Sequence, residues 1–328
     1  MTRNDPLRIV GIGGGTGLPV VLRGVTRAPR VDVTAIVAVS DNGGSSGRLR
    51  SSLGIPAVGD LRNCLVALSG NRSMLKHLFQ HRFSKGDVEG HSLGNLIVAA
   101  LYQKTGSLKQ ALETASDLLV LKGRALASTE AAVTLCARFR DGSTARGEAQ
   151  IAAARKRIER LCMEPESPAP SPGVLDAIRC ADAIVFAPGS LYTSLLPNLL
   201  VAGVADAIRA SRAVKILVCN LMTQPGETDG FSASDHLRAV ENVLGSGVVD
   251  LCIVNSAPGT SMLPRYFARG AEPVVADVFR IRAMGVVPVE ADLASVQSKT
   301  IRHNQARLGR LILQLAASAR DYAASQAA

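Results

Sequence analysis

The run Gly11-Ile12-Gly13-Gly14-Gly15-Thr16-Gly17 constrains the fold more than any other feature of the chain. An aliphatic run at 7–11 precedes it and reads as a short buried strand. An apolar stretch at 18–25 follows and reads as a helix. A second aliphatic run, DVTAIVAVS at 32–40, reads as the next strand. Strand, glycine turn, helix, strand is how a parallel α/β sheet begins. Glycines let the turn tighten and let backbone N–H groups approach phosphate oxygens, and a helix N-terminus adds roughly half a positive charge. We therefore expect Gly13, Gly14, Gly15, Thr16 and Gly17 to form a phosphate-binding loop. The dinucleotide fingerprint G-x-G-x-x-G fails at Thr16, which argues against a dehydrogenase, and no Walker lysine follows.

The same pattern returns in the second half. Short aliphatic runs at 183–186, 215–219 and 249–254 read as buried parallel strands, with helical stretches near 196–210 and 234–244 between them. The middle differs. Asp141-Gly142 is a hairpin signal between runs at 135–139 and 144–147, and the proline-rich segment EPESPAPSPG at 164–173 reads as a linker. The expected fold class is α/β: a Rossmann-like, doubly wound, mostly parallel sheet forming a single domain over 1–328. A β-rich insertion is expected at 124–165. The stretch 308–319 is apolar at helical spacing and reads as a packing helix.

Charge narrows the partners. The 37 Lys and Arg against 27 Asp and Glu give a net charge of +10, which favours anions. Aromatic residues make up only 3% and Trp is absent, so the stacking platforms of a single-strand binder are missing and no nucleic-acid partner is expected. A small phosphorylated ligand needs only a few basic groups aimed at one point. No apolar run approaches the ~18 residues of a membrane span, and the start has no apolar signal core, so no stable membrane insertion and a cytoplasmic location are expected. No two of the six cysteines have Cys-x-x-Cys spacing, so they read as reduced core thiols. His77 and His81 lie at i, i+4 with no acidic partner nearby, and no metal site is expected.

Further polar loops fall at strand ends, where open α/β sheets bind ligands. Ser40-Asp41-Asn42-Gly43-Gly44-Ser45-Ser46-Gly47-Arg48 follows the second strand, and its Asp41, Asn42 and Gly44 are placed to meet sugar hydroxyls or an anion. Asn220, Thr223 and Gln224, in NLMTQPGETDG, are placed to read an amide-edged base such as uracil. Pro188-Gly189-Ser190 repeats the arrangement one strand earlier. Gly90-His91-Ser92-Leu93-Gly94 matches the hydrolase pattern G-x-S-x-G, but a polar turn precedes it instead of a strand. Ser92 is better read as the cap of a helix at 93–102, with Asn95 facing the cleft.

The motifs GGGTGLPVVLRG, DNGGSSGRLR, GDLRNCLVAL, GHSLGNL, PGSLYTSLLPNLLV and CNLMTQPGETDG run along nearly the whole chain. Through them the sequence resembles the gluconeogenesis factor family, a UDP-N-acetylglucosamine-binding branch of the superfamily that includes 2-phospho-lactate transferase. The resemblance implies a cytosolic regulator with no established reaction and no required cofactor. Such a protein senses UDP-N-acetylglucosamine and supports cell-wall precursor supply and cell shape on gluconeogenic carbon sources. It also implies self-association, a cell-wall precursor enzyme as partner and a regulatory kinase. Tyr266 and Arg302 match family residues that matter for the nucleotide sugar, and Asn63, Asn95 and Asn198 fall within the shared motifs. The expected pose puts the diphosphate at Gly13–Gly17 with Arg302 as a clamp. Uridine lies at 220–224 or near Tyr266, and the sugar faces Asp41, Asn63 and Asn95. The rival implied by the same superfamily is a metal-assisted transfer of a nucleotide-activated phospho group to a small acceptor. Asn42 stands where the family usually has a second Asp, which weakens that rival.

Overall fold

The computed structural model describes residues 5–70, 74–257, 263–297 and 300–326. Its main sheet joins β1 (Leu7–Gly13), β2 (Val31–Val37) and β3 (Arg124–Ala127) to β7 (Ala183–Phe186), β8 (Val214–Val218), β9 (Leu251–Asn255) and β10 (Val287–Ala291). The order is β10-β9-β8-β7-β1-β2-β3, and every pairing is parallel. Strands β4 (Thr134–Phe139), β5 (Thr144–Arg146) and β6 (Ile158–Glu164) form a separate antiparallel sheet, and β11 (Ala294–Gln297) and β12 (Thr300–His303) form a hairpin.

Helices fill the crossovers. After β1 comes α1 (Gly17–Val25). Between β2 and β3 come α2 (Gly44–Leu53), α3 (Gly59–Leu68), α4 (Met74–Gln80), α5 (Leu93–Thr105) and α6 (Leu108–Leu119). The insertion holds α7 (Glu148–Ala154), and α8 (Val174–Arg179) leads into β7. A π-turn (Leu191–Leu195), α9 (Leu196–Leu199) and α10 (Val204–Ala210) precede β8. Then come α11 (Ala233–Leu244), α12 (Leu263–Phe267), α13 (Val278–Ala283) and α14 (Gln305–Gln326).

The expected Rossmann-like α/β architecture is present. Strands β1, β7 and β8 are aliphatic and buried because helices cover both faces of a parallel sheet. Three local expectations need correction. Residues 124–127 are not part of the insertion: they pair with β2, since backbone bonding to a neighbour makes a strand of a run (Arg-Ala-Leu-Ala) with weak strand propensity. The insertion's meander of strands is interrupted by α7. The helix read at 196–210 is broken, because Gly203 at φ 74° starts α10 afresh. Ser92 does cap α5, accepting from the Asn95 N–H at 3.3 Å.

The C-terminal helix locks onto the first. A Cβ on Gly309 would stand 2.3 Å from the carbonyl carbon of Gly24, so the backbones of α1 and α14 touch. Gly309→Leu is therefore expected to lower unfolding free energy by about 3 kcal/mol, the upper range for overpacking a core. A urea midpoint unchanged from wild type would contradict this contact.

Candidate functional site

Chain order reverses between β1 and β7. From β1 the chain steps outward through β2 to β3, and from β7 it steps the other way through β8 to β10. Beyond the carboxyl ends of two such strands the loops part, which is where open α/β sheets bind ligands. The two loops at this switch point are the glycine run and Pro188-Gly189. They are pressed together: a Cβ on Gly17 would lie 1.6 Å from the Pro188 carbonyl oxygen.

A hollow of about 340 Å³ opens there. Thr16, Gly17, Asn220, Thr223, Gln224, Tyr266 and Arg302 all line it, so seven expected site residues from four parts of the chain meet. Arg269 and His303 complete its polar lining. Among the described residues no carboxylate lines it. His303 is buried and held neutral, its pKa lowered to about 4, with Nε2 3.2 Å from the Cys219 carbonyl. The positive charge therefore comes from Arg269 and Arg302. Arg23 on α1 stands behind: burial lowers its pKa, and repulsion from Arg302 adds to the effect. Thr16, the N-cap of α1, makes no side-chain cap bond, so the helix start faces the hollow without an internal acceptor from that residue. A second hollow of about 280 Å³ adjoins it and shares Leu221, Met222 and Ile301.

Several lining groups build the wall instead of facing a ligand. The Asn220 side-chain amide both accepts from the Gly189 N–H and donates to the Gly189 carbonyl, at 2.7 Å each. Thr223 exchanges two bonds with the backbone of Glu272. Gln224 donates to Glu227 at 2.9 Å. Reading of uracil by the Asn220 amide is thus replaced by a structural role: Asn220 ties the β7 loop to the β8 loop. The Tyr266 hydroxyl accepts from the Ile301 N–H at 2.9 Å and fixes the hairpin that carries Arg302.

The other expected residues sit elsewhere. Gly15 donates its N–H to Asp60 at 2.6 Å, so a carboxylate of the chain already occupies the anion position at Gly14 and Gly15. Asn63 donates to the Gly15 carbonyl at 3.4 Å, and Asn198, fully buried, donates to the Gly13 carbonyl at 3.2 Å. Both hold the loop from behind. Asn95 does not face the cleft: it is buried and bonded to Ser45 and Arg62 beneath α2. Asn42 and Gly44 line a separate open hollow with Arg48 and His91. Asn42 accepts from the Ala149 N–H and so anchors the insertion. Asp41 accepts from the Gly43 N–H at 2.8 Å.

Sequence reasoning did not single out the acids. Asp60, Glu148 and Glu227 are mostly buried near the glycine loop. Burial pushes Asp60 up to about 6, against the Gly15 bond that favours its charge. Burial, then repulsion from Asp41, push Glu148 up to about 8. Burial also raises Glu227, which gathers bonds from Ser190, Tyr192 and Thr193. The Thr193 hydroxyl stands between the two acids, 2.9 Å from Glu148 Oε1 and 3.4 Å from Glu227 Oε1. In sequence each reads as an ordinary solvated acid, and only the fold shows that they converge. Among the described residues no group of three or more His, Cys, Asp or Glu side chains is disposed to hold a metal ion.

The raised Glu148 has a measurable consequence. A carboxyl whose pKa is higher folded than unfolded stabilises the fold fully below its ordinary value, and that stability is lost as pH rises through the folded pKa. The wild-type urea midpoint should fall from about pH 5 to about pH 9 more steeply than that of Glu148→Gln, which mimics the protonated acid. Parallel slopes would contradict the assignment.

The fold and this hollow define a Rossmann-like α/β protein with an arginine-lined crevice at its switch point. The family model described as 2-phospho-L-lactate transferase CofD matches residues 9–294. A gluconeogenesis factor of Bacillus subtilis is 44% identical over 310 residues, covering 94% of this chain and 98% of that protein. One of Halalkalibacterium halodurans is 44% identical over 308 residues, 93% of this chain and 95% of its own length. A crystal structure of a Bacillus halodurans protein superposes with a TM-score of 0.91 at 44% identity, covering 94% of this chain and all of that one. The chain belongs to the CofD family, within its gluconeogenesis factor group. No single helix among the described residues is long and apolar enough to cross a membrane.

Proposed function

We propose that this protein is a regulatory binder of UDP-N-acetylglucosamine that supports cell-wall precursor supply. One observation carries the reading: a crevice at the β1/β7 switch point presents Arg269, Arg302 and the start of α1, with no carboxylate among its described lining residues. Guanidinium groups fork onto phosphate oxygens, and a helix start adds aligned N–H dipoles. The diphosphate lies between Arg302 and Thr16-Gly17, displaced from the Gly13–Gly15 position because Asp60 already holds the Gly15 N–H. The two adjoining hollows suit a ligand with two bulky ends joined through phosphates. Relatives named gluconeogenesis factors support a role in carbon supply.

Calorimetric titration tests this. UDP-N-acetylglucosamine should bind, UMP should bind more weakly, and free N-acetylglucosamine should not bind. Equal binding of the sugar alone would reject the diphosphate as the anchor.

A further inference from the structure

The six cysteines do not all end as core thiols. Cys64, Cys219 and Cys252 are buried, Cys180 is exposed, and Cys136 and Cys162 are half-buried. Those last two face each other. In the insertion sheet Cys136 of β4 is the direct antiparallel partner of Cys162 of β6. The register runs unbroken from Thr134–Glu164 to Arg138–Arg160 and slips only beyond Arg138, so the pair sits inside a regular ladder. Leu135, Ala137 and Phe139 turn inward along β4, so Cys136 points to the outer face of the sheet, and a direct partner shares that face.

Direct antiparallel partners hold their Cα atoms about 4.5 or 5.5 Å apart, and a disulfide accepts roughly 4.4–6.8 Å, so either spacing lies within reach of a bridge. The Cys162 thiol already leans across the gap and donates to the Cys136 carbonyl at 3.3 Å. The Cys136 thiol donates to Glu164 at 3.2 Å, and burial together with this bond pushes its pKa up to about 11. The thiolate is the attacking form, so Cys162 leads and Cys136 follows.

We propose that Cys136 and Cys162 form a reversible cross-strand disulfide, made by exchange with a low-molecular-weight disulfide. The Cys162 thiolate attacks one sulfur of the small disulfide, breaks its S–S bond and expels one thiolate. That leaves a mixed disulfide on Cys162. The Cys136 sulfur then attacks the Cys162 sulfur and expels the second thiolate, while its proton leaves through the Glu164 carboxylate that accepts its bond. Two protein thiols are oxidised by two electrons, one small disulfide is reduced, and the two protons lost by the cysteines end on the two expelled thiolates. The bridge pins β4 to β6 one residue from Leu135, whose carbonyl accepts the Gly147 N–H at 2.7 Å where α7 begins. α7 carries Glu148 to Thr193, so the bridge braces the base of that contact. The inference is independent of the nucleotide-sugar reading, since neither cysteine lines the crevice.

Mass-spectrometric mapping of the folded full chain, equilibrated in glutathione redox buffers and then alkylated, tests it. A peptide pair joined through Cys136 and Cys162 is expected, with the ratio of bridged to reduced chain falling as the square of reduced glutathione, as a two-thiol exchange requires. Cys136→Ser leaves Cys162 without a resolving thiol. It should carry at least about tenfold more mixed disulfide there than wild type, because a thiol fixed in register acts at an effective concentration far above that of glutathione. Cys162→Ser should leave Cys136 a free thiol, and Cys180→Ser should leave the bridge unchanged. Serine keeps a hydroxyl in place of the thiol, and an unchanged circular dichroism spectrum checks that each variant is folded. A wild type with as much glutathione on Cys162 as Cys136→Ser overturns the proposal. So does a bridge that appears only in urea, where the strand register is lost.

Discussion

Arg302→Ala is expected to weaken UDP-N-acetylglucosamine binding by about 10- to 100-fold, the worth of a charge-assisted bond to a phosphate. Arg302 lines the crevice from β12, and Arg269 is the other arginine lining it. Its removal therefore takes away a large share of the local positive charge while the fold is untouched, because Arg302 is only half-buried. Tyr266→Phe should act in the same direction but more weakly. It loses the bond to the Ile301 N–H that fixes the hairpin, without losing a charge. Both effects are read by calorimetry, and the Arg302 loss should shrink as salt screens the diphosphate. Wild-type affinity in both variants would move the ligand away from this crevice.

Gly17→Val carries the larger structural effect. Even the first side-chain carbon would lie 1.6 Å from the Pro188 carbonyl oxygen and 2.5 Å from its carbon. Those are backbone atoms, so no side chain can swing aside. The β7 loop must move away from α1, and the Gly189–Asn220 pair that joins it to the β8 loop moves with it. We expect a loss of roughly 3–5 kcal/mol in unfolding free energy, at the upper end for overpacking, together with loss of ligand binding. A folded Gly17→Val with normal stability would show that the two loops are not held against one another.

What the sequence revealed follows from what is local. The aliphatic runs of β1, β2 and β7 and the Asp141-Gly142 turn announce themselves because burial on both faces and a tight reversal each demand particular residue types. β10 was not legible, because Pro288 argues against a strand everywhere except at an edge, and the edge is a property of the assembled sheet. The amide side chains were ambiguous for a related reason. Asn95, Asn198 and Asn220 look alike in sequence, yet each is committed to backbone or buried partners that arrive from other parts of the chain. Asp60 is the sharpest case. It sits in the first turn of α3, an ordinary place for an acid, and only folding turns it toward the Gly15 N–H.

The most direct test is a crystal structure of the wild-type chain with UDP-N-acetylglucosamine. The diphosphate is predicted between the Arg302 guanidinium and the backbone of Thr16 and Gly17, with the Asp60 bond to Gly15 preserved. A diphosphate seated instead over Gly14 and Gly15, with Asp60 displaced and the arginine-lined crevice empty, would contradict the account.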